Sequence, residues 1–241
     1  MRILKDFQLL LTAVILGVSL IICSKIYTSN SSNSGITVTG QAHTIVVSDN
    51  ASWNVEFSAK NPLKSAAYAQ IQAQIPIIIA YLKEKGIKQE EISILPPNSY
   101  PVYKTDPKTG YSTQNIAYYD YSQSIKIQSS DVNKIQALSI DIQSLVNKGI
   151  NISAQRPEYY YSKLNEVKAQ VLEEATKDAK TRAKGMLSAT NNRVGKIRSV
   201  KMGVFQITPK DSNEVSDWGI NDNTTIDKKV TAVANVVFEI K

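Results

Sequence analysis

The chain has 241 residues, 42% of them hydrophobic and 20% charged, which is enough apolar material for a core in one or two domains and too much for a disordered protein. Its formal net charge is +7, yet only five of the 28 basic residues are arginine, the side chain on which phosphate and base recognition leans, so a nucleic-acid partner is not expected. One cysteine, Cys23, and one histidine, His43, exclude an intrachain disulfide, a paired-thiol redox centre and a cysteine-built zinc site, and no cofactor is expected.

Residues 1–6 carry Arg2, Lys5 and Asp6 ahead of seventeen residues without charge, Phe7 to Cys23. That length is at the lower edge of what spans a bilayer. The basic residues before it predict a cytoplasmic N-terminus at 1–6, a transmembrane anchor or uncleaved signal over 7–24, and an extracytoplasmic remainder in the periplasm or at the cell surface. The string "CSKIYTS" lacks a good small-x-small cleavage pattern, and Ile22 stands where a lipoprotein signal needs a small residue. Residues 25–35, rich in Ser and Asn, read as a flexible linker. Past the anchor, 26 basic and 20 acidic residues leave a net +6, suited to anionic envelope polymers or lipid headgroups.

The globular part, 36–241, opens with "ITVTGQAHTIVV", which alternates Ile36, Val38, Gly40 and Ala42 against Thr37, Thr39, Gln41 and His43, a half-buried strand. "SDNAS" supplies turn residues and "WNVEFSA" alternates again, so the pair predicts an antiparallel hairpin. Asn61 as N-cap and Pro62 at the first helical position open a helix whose stripe is Leu63, Ala67, Ile71, Ile75, Ile78 or Ile79, and Leu82. Pro76 predicts a kink in it and Gly86 its end. "EISIL" is a strand, "PPNSYPVYKTDPKTGYST" a long loop or ragged hairpin tip, and "NIAYYDYSQSIKIQ" a second long strand.

Asp131 caps a helix carrying Val132, Ile135, Leu138, Ile142, Leu145 and Val146, which Gly149 ends. "EKGIK" and "NKGIN" thus close two helix-Gly-strand units, a pattern that suggests a distant internal repeat. "YYYSKL" reads as a strand. The third main helix follows, with Val167, Val171, Ala175, Ala179 and Ala183 every four residues, a ridge small enough to sit close on a sheet. "KIRSVKMGVFQI" and "VTAVANVVFEI" are strands joined by the polar stretch 208–229. Strands and helices mixed without strict alternation predict an α+β fold of largely antiparallel sheets packed with three main helices.

His43, Ser48 and Asp49 are the residue types of a hydrolytic triad, but His43 falls on a strand face, the other two on a turn, and no G-x-S-x-G elbow is present. A solvent-facing histidine and an Asx-type turn account for all three, so no catalytic residue is expected. Asp211, Asn213, Glu214, Asp217 and Asp222 offer oxygen ligands without EF-hand spacing, so the stretch reads as a solvated loop and no metal site is expected. The run Lys177, Lys180, Arg182, Lys184, Arg193, Lys196, Arg198 and Lys201 is a solvated helix face or a site for an anionic surface. Nine of the twelve tyrosines lie within 100–121 and 159–161. Tyrosine pairs well across strands and is enriched where surfaces meet partners, so Tyr100, Tyr103, Tyr111, Tyr119, Tyr121, Tyr159 and Tyr161 form the candidate interaction surface.

Several strings together resemble one family. "VTGQAHTIVVSDNASWNVEF", "YSQSIKI", "SDVNKI", "KGINI", "EEATKDAKTRAKGM", "VGKIRSV" and the tail from "MGVFQITP" to "VVFEI" are similar, in order, to SIMPL-domain proteins, which include a periplasmic immunogenic protein and oxidative-stress-related periplasmic proteins. The chain departs from the family at Ser48-Asp49, often Pro-Asp, and at Tyr118-Tyr119, usually Gly-Tyr. The resemblance implies an α+β fold, secretion and assembly into homo-oligomers, and supplies no catalytic residue set. The expected function is that of a non-enzymatic, membrane-anchored, extracytoplasmic SIMPL-domain protein, homo-oligomeric, with an envelope or stress-related role. An exported binding module for an anionic or aromatic-compatible ligand is the first alternative, and a hydrolase with a novel site the second.

Overall fold

The computed structural model describes residues 15–25 and 35–241. The expected cytoplasmic N-terminus, the first half of the expected anchor and most of the expected linker lie outside the described residues. Residues 15–25 form a helix, α1, and its Ile15, Leu16, Val18, Leu20, Ile21 and Ile22 are exposed. Among the described residues no helix is long and apolar enough to cross a membrane. The fold is α+β, with four α-helices among the described residues and sheets that are mostly antiparallel.

The chain divides into two compact units. The first is built from the start of β1 (Gly35–Val47), most of α4 (Leu164–Ser188), β8 (Val194–Met202) and the end of β11 (Asp227–Ile240). The small-residue ridge of α4 does what its spacing predicts: Val171, Ala175, Ala179 and Ala183 are all buried. Gly40 on β1 makes that approach possible, since a Cβ there would lie 2.1 Å from the Ala175 carbonyl oxygen and 2.4 Å from the Ala179 nitrogen. The Gln41 amide donates to Asp178 Oδ2 at 2.9 Å and ties strand to helix. β8 pairs antiparallel with β11 through two register shifts.

The second unit is organised around β2 (Asn50–Asn61). Helix α2 (Lys64–Glu84) leads from β2 to β3 (Ile92–Ile94), and helix α3 (Val132–Asp141), extended by a 3-10 turn over Ile142–Lys148, leads from β5 (Ser112–Ser129) to β6 (Asn151–Ala154). The strand order is β3-β5-β2-β6, all antiparallel neighbours, which is the split β-α-β arrangement of ferredoxin-like folds. Its two halves correspond to the two helix-Gly-strand units of the sequence, and Gly86 (φ 82°) and Gly149 (φ 78°) both take the left-handed conformation that ends a helix without a Cβ clash. Alternate β2 residues Trp53, Val55 and Phe57 are fully buried against Ile125 and Ile127 of β5, Ile71, Ile78 and Leu82 of α2, and Ile135 of α3. The indole of Trp53 donates to the Gln155 carbonyl at 2.9 Å, so its one polar group is satisfied inside the core.

Two local expectations are corrected and a third, left between two readings, is decided. β1 and β2 do not form a hairpin: β1 lies beside β11 and β2 belongs to the other sheet. The reason is where the turn spends its donors, with Ser48 N bonded to the Ile226 carbonyl at 2.9 Å and Asp49 N to the Tyr160 carbonyl at 3.0 Å. Asn61 does not cap α2; it still belongs to β2, and its side chain accepts the Leu63 amide in an Asx-type turn, so the helix starts at Lys64 and runs unbroken through Pro76. Of the two readings of the stretch after "EISIL", long loop or ragged hairpin tip, the second holds: β4 (Asn98–Thr105) pairs along β5 with a register shift, and residues 106–111 close the tip.

Candidate interaction surface

β5 is eighteen residues long, and β2 accompanies it only from Ser129 to Tyr119. Beyond that point residues 112–118 pair, among the described residues, with β4 alone, so the β4–β5 hairpin leaves the sheet as a two-stranded arm roughly 20 Å long at the rise of an extended chain. Pro101 sits in β4, which is an edge strand, where a missing N–H costs no ladder bond. The tip is closed by Asp106, whose carboxylate accepts the Lys108 amide at 2.8 Å and whose carbonyl accepts Gly110 N at 2.8 Å.

The cross-strand register distributes the aromatics. Tyr100 faces Asp120, Pro101 faces Tyr119, and Val102 faces Tyr118; a register shift then sets Tyr103 opposite Ile116. Because side chains alternate, one face of the arm carries Tyr100, Val102 and Tyr118, and the other Pro101, Tyr103 and Tyr119. Tyr100, Tyr103, Tyr111 and Ile116 are exposed, Tyr111 at the tip by 78%. At the root, Lys60 bridges to Asp120 at 3.6 Å and lies 5.5 Å from the centre of the Tyr118 ring.

The β4–β5 hairpin therefore brings together five of the seven tyrosines singled out in the sequence, with Tyr103 and Tyr111 on the arm and Tyr100, Tyr119 and Tyr121 at its root, and the last two are partly committed to the fold. Tyr119 is half-buried, and Tyr121 packs against the core with its ring 5.9 Å from that of Tyr68 on α2. The other two are elsewhere. Tyr159, on β7 (Glu158–Tyr160), is buried, and burial pushes its hydroxyl pKa up; Tyr161 packs on Val46, Ile207 and Val230. Trp218 was missed by sequence reasoning. It is 94% exposed, beside Val215 at 80%, on a loop held by the buried Gln206, whose amide bonds Ser216 O at 2.7 Å and accepts Ser216 N at 3.3 Å. The available signal was a tryptophan set in an Asn- and Asp-rich stretch with no period that could bury it.

Of the three polar side chains of the opening stretch, Asp49 is the one with hydrogen bonds to another segment among the described residues. His43 is exposed, Ser48 is buried with its hydroxyl unpartnered among the described residues, and Asp49 accepts the Ser162 amide at 2.8 Å and the Ser162 hydroxyl. Burial alone would raise the Asp49 pKa, but these bonds outweigh it and hold the carboxyl below its usual range. In the 208–229 stretch Asp211, Asn213, Glu214 and Asp217 are exposed, while Asp222 turns inward to Thr224, Thr225 and the buried Lys228. Burial lowers the Lys228 pKa, against the pull of Asp222. Among the described residues no three His, Cys, Asp or Glu side chains come together as a metal cluster. A polar cleft of about 470 Å³ lies along β2, lined by Asn50, Ser52, Asn54, Lys126, Glu158 and Tyr160 among others, and Asn54 Oδ1 is buried without a hydrogen-bond partner among the described residues.

Comparison with known families places most of the chain. A model described as SIMPL, a protein of unknown function (DUF541), matches residues 36–238. No curated protein matches the chain.

Proposed function

Because this chain belongs to the SIMPL family through residues 36–238, we propose that it is a membrane-anchored, extracytoplasmic member that acts by self-association rather than by catalysis, in an envelope or stress-related role. The β4–β5 arm carries this reading. A two-stranded hairpin without a third strand or a packed face is marginal in water. One that displays tyrosines on both faces gains most when those rings are covered by protein, because tyrosine packs its ring while its hydroxyl stays hydrated. The exposed apolar side chains of α1 and the charge-free run from Phe7 support anchoring. The commitment of Asp49 to Ser162 supports a structural rather than hydrolytic turn.

The test is the molar mass of the full chain in detergent, by light scattering over a dilution series. Self-association predicts a protein mass of several times 26.6 kDa, falling toward one copy when Tyr100, Tyr103 and Tyr111 are together changed to Ser. One copy at every concentration would end this reading. The buried, unpartnered Asn54 Oδ1 favours a second one, a binding module for a polar ligand in the cleft along β2. In that case the chain stays monomeric and ligand-induced stabilisation is lost in Asn54→Ala.

A further inference from the structure

The net excess of positive charge is concentrated in one of the two units. In the first unit, residues 35–43, Lys168–Phe205 and Thr231–Lys241 hold ten lysines and arginines against four acidic side chains, a net of +6. In the second unit, Thr44–Val167 and Gln206–Val230 hold 15 against 16, a net of −1. Three of the first unit's four acids are already paired, Glu173 with Lys177 at 2.6 Å, Asp178 with Arg182 at 2.7 Å and Glu239 with Arg198 at 3.8 Å. Lys180, Lys184, Arg193, Lys196 and Lys201 are exposed.

β8 adds apolar surface to this charge. Ile197, Val200 and Met202 register against Phe238, Val236 and Ala234 of β11, which are buried, yet they are themselves 50%, 49% and 55% exposed. Lys196 precedes them and Arg198 and Lys201 stand between them, and since side chains alternate along a strand, Lys201 projects from the opposite side of β8 to Val200 and Met202, so this edge strand carries an apolar side and a basic side. Water is a poor partner for such a row, and a soluble anionic polymer would satisfy its charges while leaving its aliphatic groups wet. The boundary between headgroups and acyl chains satisfies both. Only nine residues separate Lys25, the end of α1, from Gly35, the start of β1, a chain that reaches at most about 35 Å.

We propose that the exposed edge strand β8 of the first unit docks on an anionic lipid bilayer, Ile197, Val200 and Met202 entering the acyl boundary from one side of the strand while the lysines on its other side reach the headgroup phosphates. The short tether rests on the membrane-anchor reading above; the chemistry of the face does not. The full chain, with Cys23→Ser and a fluorophore on Val200→Cys, is placed in vesicles of phosphatidylcholine, with or without phosphatidylglycerol, that carry a quencher on the acyl chain. Docking predicts quenching in the anionic vesicles only. It also predicts a docking equilibrium about fivefold weaker for each of Lys196→Gln and Lys201→Gln. Salt at about 1 M, where the Debye length is about 3 Å, should abolish it. A second label at Met202→Cys, with circular dichroism on each variant, separates loss of docking from loss of fold.

Equal quenching in both lipids, or none in either, overturns the proposal. Absence of lipid quenching together with retardation of the chain by polyphosphate overturns it in favour of a soluble anionic polymer. Flotation with neutral vesicles after a carbonate wash reads the anchor separately. A chain that fails to float but is still quenched in anionic vesicles loses its anchor and keeps its docking face.

Discussion

Asp49 joins positions 113 residues apart through its two bonds to Ser162. Its folded pKa is depressed, so its contribution is fully present above the unfolded carboxylate value and is lost as pH falls through the lower folded one. Urea midpoints should therefore drop as pH falls below about 4, and Asp49→Asn should flatten that dependence while costing about 1–2 kcal/mol near neutrality. Little of this was legible in sequence, because Ser-Asp before a strand looks the same whether its carboxylate meets water or a distant serine. Lys228 and Asp222 give a second test at this scale. The two side chains are 3% and 6% exposed, so removing the lysine alone strands a buried carboxylate. Lys228→Met should cost roughly 3 kcal/mol in a denaturant melt, and the double change with Asp222→Asn should cost less, since paired removal leaves no uncompensated charge.

Among the elements, α4 and β1 were the easiest to read and the arm was the hardest. The ridge from Val171 to Ala183 carries its own period, and Gly40 carries the complementary feature, a missing Cβ, on the strand beneath it. Gly40→Val should remove that fit by setting carbon against the α4 backbone, with a loss of about 3 kcal/mol or more in thermal or urea unfolding. Here the change is steric and not conformational, because Gly40 has no positive φ. The sequence leaves β4 open between a long loop and a ragged hairpin tip, because Pro96, Pro97, Pro101 and Pro107 fill its neighbourhood. The strand survives as an edge whose ladder is supplied by β5, and a pairing made through a partner leaves no period in its own sequence. The hairpin expected of β1 and β2 failed for the related reason that a turn's donors can be taken by remote carbonyls.

For the molecule as a whole, the two tryptophans report opposite environments. Trp53 is fully buried under α2 and Trp218 is almost fully exposed. Acrylamide quenching of the native protein should be two-component, Trp53→Phe should leave only the accessible component, and denaturant should make both accessible. If the proposed self-association covers Trp218, its quenching should fall as concentration rises, in step with the molar mass. The division of charge between the units also belongs to this scale, because the three segments that make the first unit are separated by 124 and 25 residues of sequence. Composition supplied the net excess of positive charge, and only the fold collected it.

The sequence by itself determined which segments become helices and most strands, the caps at Asp131, Gly86 and Gly149, the α+β class and the family, because each depends on neighbours within a few positions or on an ordered set of strings. The tertiary structure decided the partners: that β1 and β2 part into different sheets, that β4 lines β5 as an arm, that Tyr159 is core while Tyr111 is surface, and that Asp49 meets Ser162. Those outcomes turn on hydrogen bonds and burial supplied by distant segments, and local periodicity records which side of a strand is apolar without recording what covers it.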